Sequence, residues 1–303
     1  MPHTFTGEFA ALGTAVCWTG SALFFSAAAH RIGSLTLNQV RLFMAFAFLA
    51  LYGWLTRGYA VPGDATPEAW GWLALSGFIG FTLGDLCLFR SYLLVGPRLS
   101  MLVMSLWPPL AALCGWLLLG ETLRAQDWLG MALTLSGVAW VVLERQPEAG
   151  EQSSLRRFQG IALAFGGAVG QALGLVLGKF GMGEYDPFAA TQIRVVAGIA
   201  GFAVLFLCIG WWPRVWESLS DGRGMLYSLG GSFFGPFLGV GLSLLAVQHT
   251  ATGIASTIMA LVPVLIIPCT VLLHKEKVSL RAFAGAMLAV GGTALLFLSP
   301  AHG

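Results

Sequence analysis

One pattern occurs twice in this chain, and each copy lies inside an apolar run. Residues 96 to 121 hold Trp107-Pro108-Pro109, an apolar stretch and Gly120-Glu121; residues 251 to 276 hold Val262-Pro263-Val264, an apolar stretch and Lys275-Glu276. The spacing from proline to glutamate is the same in both. Glycines follow at matching places, Gly130 and Gly137 in the first copy, Gly285 and Gly292 in the second. Proline inside a helix withholds an N–H and clashes with the preceding turn. Two apolar helices interrupted at the same place therefore point to a duplicated membrane bundle whose substrate site lies between its halves.

The remaining residues supply the other helices of that bundle. A membrane helix needs about 20 apolar residues to cross about 30 Å. Ten such runs are present, at 8–29, 37–56, 69–93, 98–119, 126–143, 158–180, 188–211, 224–247, 252–273 and 279–298. Apolar residues make up 57% of the chain and charged residues 10%, more grease than a soluble domain of this length can bury. The expected fold is an all-α membrane protein with ten transmembrane helices. Its most polar stretch, 144–157, falls midway and reads as a linker. The expected units are thus a five-helix repeat over 1–145, a linker loop over 146–157 and a second five-helix repeat over 158–300.

Further matches support the duplication. Gly13-Thr14-Ala15 pairs with Gly166-Gly167-Ala168, and Asn38-Gln39-Val40-Arg41 with Thr191-Gln192-Ile193-Arg194; Gly80 and Gly84 pair with Gly235 and Gly239. Five is an odd number of spans, so the second repeat enters the membrane from the opposite side: an inverted repeat.

Charge and chemistry narrow the function classes. A formal net charge of +2 offers no basic surface for nucleic acid. Cys17, Cys87, Cys114, Cys208 and Cys269 all fall in apolar runs, so neither disulfides nor a metal or other cofactor is expected. His3, His30, His249, His274 and His302 sit at helix ends or termini without clustering, which argues against an intramembrane enzyme. No signal peptide is evident. With the N-terminus outside, ten loop arginines and lysines face inward (among them Arg31, Arg214 and Arg223) against three outward (Arg57, Arg124 and Lys179). The expected location is a bacterial inner membrane with both termini on the periplasmic side.

Helical spacing then indicates which side chains share a central cavity. Proline frees the carbonyl four residues before it: Pro108 and Pro109 free Met104 and Ser105, Pro263 frees Met259, Pro268 frees Val264, and Pro236 frees Ser232. Stripes converge on these hinges. They comprise Thr14, Trp18, Ser21 and Phe25 on the first span, and Phe78, Phe81, Asp85, Phe89 and Tyr92 on the third. The fourth adds Met101, Ser105 and Pro108, the sixth Gly167, Gln171, Gly174 and Gly178, and the ninth Ser256, Ala260 and Pro263. Rings with a few polar groups suit a small amphipathic molecule; the same faces also serve ordinary bundle packing. Asp85, the one acid deep in a span, binds an amine, carries a proton or hydrogen-bonds a neighbouring helix. Arg90 is about 140° away around the helix and does not pair with it. Arg41 and Arg194 read as arginines that snorkel to headgroups, or as gate charges at opposite mouths. Lys179 reads as an interfacial charge near Glu184, and Glu121 and Glu276 as acids that fix their neighbouring loops.

Ten spans in two halves, with proline in spans four and nine and a glutamate after each, resemble the EamA family of the drug/metabolite transporter superfamily. The look of Cys17-Trp18-Thr19-Gly20 and the aromatic third span is similar to bacterial exporters of aromatic and other amino acids. That resemblance implies export by alternating access, with spans one, three, four, six, eight and nine around the site and spans five and ten at the periphery. The implied partners are a small-molecule substrate, an amino acid above all, and the lipid bilayer; the oligomeric state stays open. Small multidrug exporters of the superfamily couple protons through a glutamate within the first span, where this chain has only Glu8 at the mouth. A facilitator is the simpler mechanism. A proton-coupled exporter of drug-like lipophilic cations, working through Asp85, is the alternative.

Overall fold

A computed structural model describes residues 5–144, 154–266, 269 and 280–298, all of them in helices, turns or short loops. Pro268, Lys275, Glu276, Lys277, Arg145 and linker residues 146–153 lie outside the described residues.

The first half begins with two long helices, α1 (Thr6–Ile32) and α2 (Ser34–Arg57). Its third span is composite: α3 (Pro67–Gly77), a π-helical segment (Phe78–Gly84) and the first part of α4 (Asp85–Met104), as far as Val95. Then come α5 (Trp107–Leu119) and α6 (Ala125–Glu144). The second half repeats the order with α7 (Ser154–Met182), α8 (Pro187–Cys208) and a short α9 (Trp212–Ser218). It continues with α10 (Gly222–Ser232), a second π segment (Phe233–Gly239), α11 (Val240–His249), α12 (Thr252–Met259) and α13 (Leu280–Phe297). Thr66, Asp186 and Asp221 cap α3, α8 and α10, their side chains accepting from Ala69, Ala189 and Gly224 N–H groups at 3.2, 2.8 and 2.9 Å.

Among the described residues, six helices are long and apolar enough to cross a membrane, with shorter apolar helices at Trp107–Leu119, Thr252–Ile266 and Phe283–Phe297. Helix α4 runs past Gly96-Pro97 but not straight on. Ser91 and Ser100 hydrogen-bond through their hydroxyls, and Tyr92 Oη donates to Met101 Sδ at 3.2 Å. A straight helix would separate residues nine apart by about 13.5 Å, so the chain turns back here.

The halves interlock. Helix α1 packs against α10, the second π segment, α11 and α12, whereas α7 packs against α3, the first π segment, α4 and α5. Helices α6 and α13 pack mainly on each other. A Cβ at Gly137 or Gly292 would overlap the opposite backbone, so the repeated glycines allow the close approach of this pair. On the outside, Trp116, Leu117, Trp128, Trp140 and Leu207 are at least half exposed, as a lipid-facing surface requires.

One end of the bundle gathers the start of α1, the ends of α5, α7 and α11, and the start of α12, around Glu121. The other end carries Arg31, which donates through Nε to both carboxylate oxygens of Asp221 at 2.8 and 3.0 Å. That hydrogen bond holds the Asp221 carboxyl below the usual carboxylate range.

Candidate functional site

The apolar runs that carry Pro108 and Pro263 are broken at corresponding places. In the first half α4 stops at Met104, the chain turns at Ser105 and Leu106, and α5 starts with Pro108 and Pro109 in its first turn. In the second, α12 stops at Met259, turns at Ala260 and Leu261, and a new helical segment carries Pro263. The turns are 155 residues apart (105 and 260). Proline in a first turn withholds only an N–H that has no helical partner anyway. These prolines thus start new half-helices rather than bending continuous ones. The π segments are also 155 residues apart (78 and 233). Pro236 lies in the second, but the first contains no proline, so proline is not what widens these helices.

Breaks and π segments surround one cavity of about 310 Å³. Trp18, Ser21, Phe25, Phe81, Asp85, Met101, Ser105, Trp107, Gln171 and Met259 line it, with Pro236 and Pro263. Ser256 does not; it is fully buried and its hydroxyl donates to Gly253 O at 3.1 Å. Pro108 and Pro109 are also absent from the wall. The break at Ala260 and Leu261 changes the helical phase, so Ser256 does not continue the Pro263 stripe. Arg41, Tyr92, Met104 and Val138 line the cavity as well. Val138 belongs to α6, so the fifth span is not wholly peripheral.

The wall is mostly aromatic. Trp18 and Trp107 face each other with ring centroids 6.5 Å apart. Ser21 Oγ donates to Gly231 O, just before the second π segment, at 3.0 Å, and Thr14 Oγ1, bonded to Ala10 O at 2.9 Å, also reaches Gly239 O at the segment's end at 3.3 Å. Opposite, Gly170 and Gly174 bring α7 against the backbone of Gly84 and Gly80 in the first π segment.

Arg41 does not snorkel. Its guanidinium pairs with Asp85 and lies 5.6 Å from the centre of the Phe25 ring. It starts about 10 Å into α2, at 1.5 Å per residue from Ser34, where a carboxylate partner outcompetes distant headgroups. Arg194 is likewise withdrawn from the surface: it is 6% exposed, 5.3 Å from the centre of the Phe81 ring.

Lys179 pairs not with Glu184 but with Glu121, its Nζ donating to Oε1 at 2.7 Å and to Thr250 O at 2.9 Å. Glu121 Oε2 accepts from Thr252 N at 2.8 Å and from Thr252 Oγ1 at 2.6 Å, capping α12. Thr250 Oγ1 reaches Glu8 Oε1 at 3.0 Å. An acid at the negative end of α5 is thereby compensated by the positive end of α12 and by Lys179. Counted at about 1.5 Å per residue, every lining residue stands about 10 Å or more from the Glu121 end of its own helix. Tyr92 and Met101, beside the turn at the Arg31 end, carry the lining to that side, whereas the Glu121 bonds span the other end.

Two interlocked helical repeats, an apolar exterior and a cavity at paired helix breaks are the features of a multi-pass membrane transporter. The chain belongs to the EamA-like transporter family, which matches residues 5–143 and again residues 158–298. It is a membrane transporter of the drug/metabolite type. One solved structure, described only as the crystal structure of a protein, covers 96% of this chain and 96% of its own at 19% identity, with a TM-score of 0.78. No curated protein matches the chain.

If the cavity binds substrate, Trp107→Ala should reduce transport several-fold more than Trp140→Ala. Trp107 is 7% exposed on the cavity wall, whereas Trp140 is 50% exposed on the outer face of α6. Uptake per folded molecule, with folding checked by size-exclusion profile, measures this; equal losses would separate the cavity from transport.

Proposed function

We propose that ten spans, as two inverted five-helix repeats over 1–145 and 158–300 joined by the 146–157 linker, form an alternating-access facilitator. It exports amino acids or similar small amphipathic metabolites across a bacterial inner membrane. The observation that carries this reading is the cavity between the broken spans, where rings supply contact area and the Arg41–Asp85 pair and Gln171 supply polar anchors. Half-helices that end at the middle of a bundle are what a rocking carrier uses to expose one site to either side. With the termini periplasmic, as the distribution of basic residues suggests, the cavity extends toward the cytoplasm, the side from which an exporter loads.

A lipophilic-cation exporter needs a carboxylate free for its substrate, and Asp85 already faces Arg41. Counterflow into liposomes, with a panel of labelled amino acids and sugars, tests the proposal. Exchange of neutral amino acids without a pH gradient is expected. Transport of another metabolite with silence across all amino acids would overturn the substrate class. A strict need for a pH gradient, lost in Asp85→Asn, would overturn the facilitator and favour the cation exporter.

A further inference from the structure

Arg194 is a buried cation without a counter-ion among the described residues. It is 6% exposed, and its Nε and Nη1 have no hydrogen-bond partner. Glycines of the third and sixth spans lie beside it. A Cβ at Gly77 would overlap its backbone, and Cβ atoms at Gly80 and Gly178 would stand 3.6 and 3.5 Å from its Nη2 and Nη1. Arg194 does not line the cavity itself; its guanidinium stands 5.3 Å from the ring of Phe81, which does.

The duplication shows what is missing. Arg41 and Arg194 hold matching places in the two halves, each over a phenylalanine ring. Arg41 has Asp85; the matching position 155 residues on is Val240, an apolar residue of the same cavity wall. Among the described residues, Arg41 and Asp85 line the cavity as a pair, and Arg194 stands behind Phe81 with no carboxylate of its own. A buried charge left unpaired is costly, and a guanidinium fork matches a carboxylate in two parallel hydrogen bonds. We infer that Arg194 is the anchor for a carboxylate on the transported molecule, which completes the charge balance once the Phe81 ring swings aside. The cargo is then a small organic acid or amino acid, with its apolar body against Trp18 and Trp107 and its carboxylate toward α8. This rests on the transport reading above and specifies the functional group that its site selects.

Tryptophan emission and thermal midpoint of the purified full-length protein test it with two matched probe pairs: phenylalanine with phenylalaninamide, and indole-3-acetate with indole-3-acetamide. In the wild type at least one carboxylate should bind at least about tenfold more tightly than its amide, and Arg194→Gln should bring that ratio to within about twofold. Arg194→Lys, which keeps the charge but loses the fork, should fall between. Without ligand, Arg194→Met should melt at or above the wild-type temperature, because it removes an uncompensated charge. The anchor is refuted if no carboxylate binds, if amides bind equally, if the ratio survives Arg194→Gln, if chloride gives the same response as the carboxylates, or if Arg194→Met melts lower. Carboxylate-selective binding without counterflow would instead overturn the transport reading and leave the anchor standing. Counterflow without carboxylate preference would do the reverse.

Discussion

Arg41→Ala is expected to abolish transport and to destabilise the protein, while Arg41→Ala combined with Asp85→Ala should recover stability but not transport. Arg41 and Asp85 pair with side chains 16% and 18% exposed, walled by Phe25 and Phe81. Removing one member of a buried pair costs about 3–5 kcal/mol because the other is left uncompensated; the residual solvent here reduces that to about 2–3 kcal/mol. Removing both leaves a smaller, neutral cavity and no orphan charge. The charge-reversed double variant, Arg41→Asp with Asp85→Arg, retains an ion pair and should melt nearer the wild type than either single reversal. Thermal midpoints in detergent, alongside counterflow, measure both consequences. An Arg41→Ala protein as stable as the wild type would mean that the pair does not hold α2 to the start of α4.

That pair also shows where sequence reasoning reached its limit. Trp18, Ser21 and Phe25 could be placed on one face because a single uninterrupted helix carries them, and helical periodicity fixes their common direction. The duplication located the paired breaks, because proline has a covalent consequence wherever it occurs. No local signal joins Arg41 to Asp85, which are 44 residues apart in the chain and meet only through the packing of separate spans. The π segments were hidden for a related reason. An i→i+5 turn has no residue signature, and the glycines bracketing both segments read equally well as ordinary helix-packing contacts. Ser256 illustrates the opposite error, a stripe extended across a turn that resets its phase. Arg194 could be matched to Arg41 by sequence, but that it has no counter-ion among the described residues depends on what surrounds it in space.

Glu121→Ala should shift the carrier toward a state open at the end now closed, without unfolding it. Among the described residues, the side-chain bonds of Glu121 all cross from the first repeat to the second: to Lys179 Nζ, to Thr252 N and to Thr252 Oγ1. In the proposed alternating-access cycle, repeats rocking apart at this end must break these contacts, so their energy would favour the present state over its alternative. Loss of the cap alone is worth about 1 kcal/mol, and loss of the partly exposed ion pair adds up to about 1 kcal/mol. At 1.4 kcal/mol per factor of ten, a combined change of about 2 kcal/mol moves the balance between states about thirtyfold. Gly115→Val should act in the same direction, because a Cβ there would overlap Thr252 Oγ1 and the Glu121 carboxylate. Ala111, fully buried on α5 beside this network, is a suitable reporter. With the five native cysteines replaced, a cysteine at position 111 should react slowly with a water-soluble maleimide in the wild type and many times faster in Glu121→Ala. The mechanism requires faster labelling at an unchanged folded yield. Unchanged labelling with a lower yield would reduce Glu121 to a structural cap, and closure of this end would then have to come from the apolar contacts of α1, α5 and α12 alone.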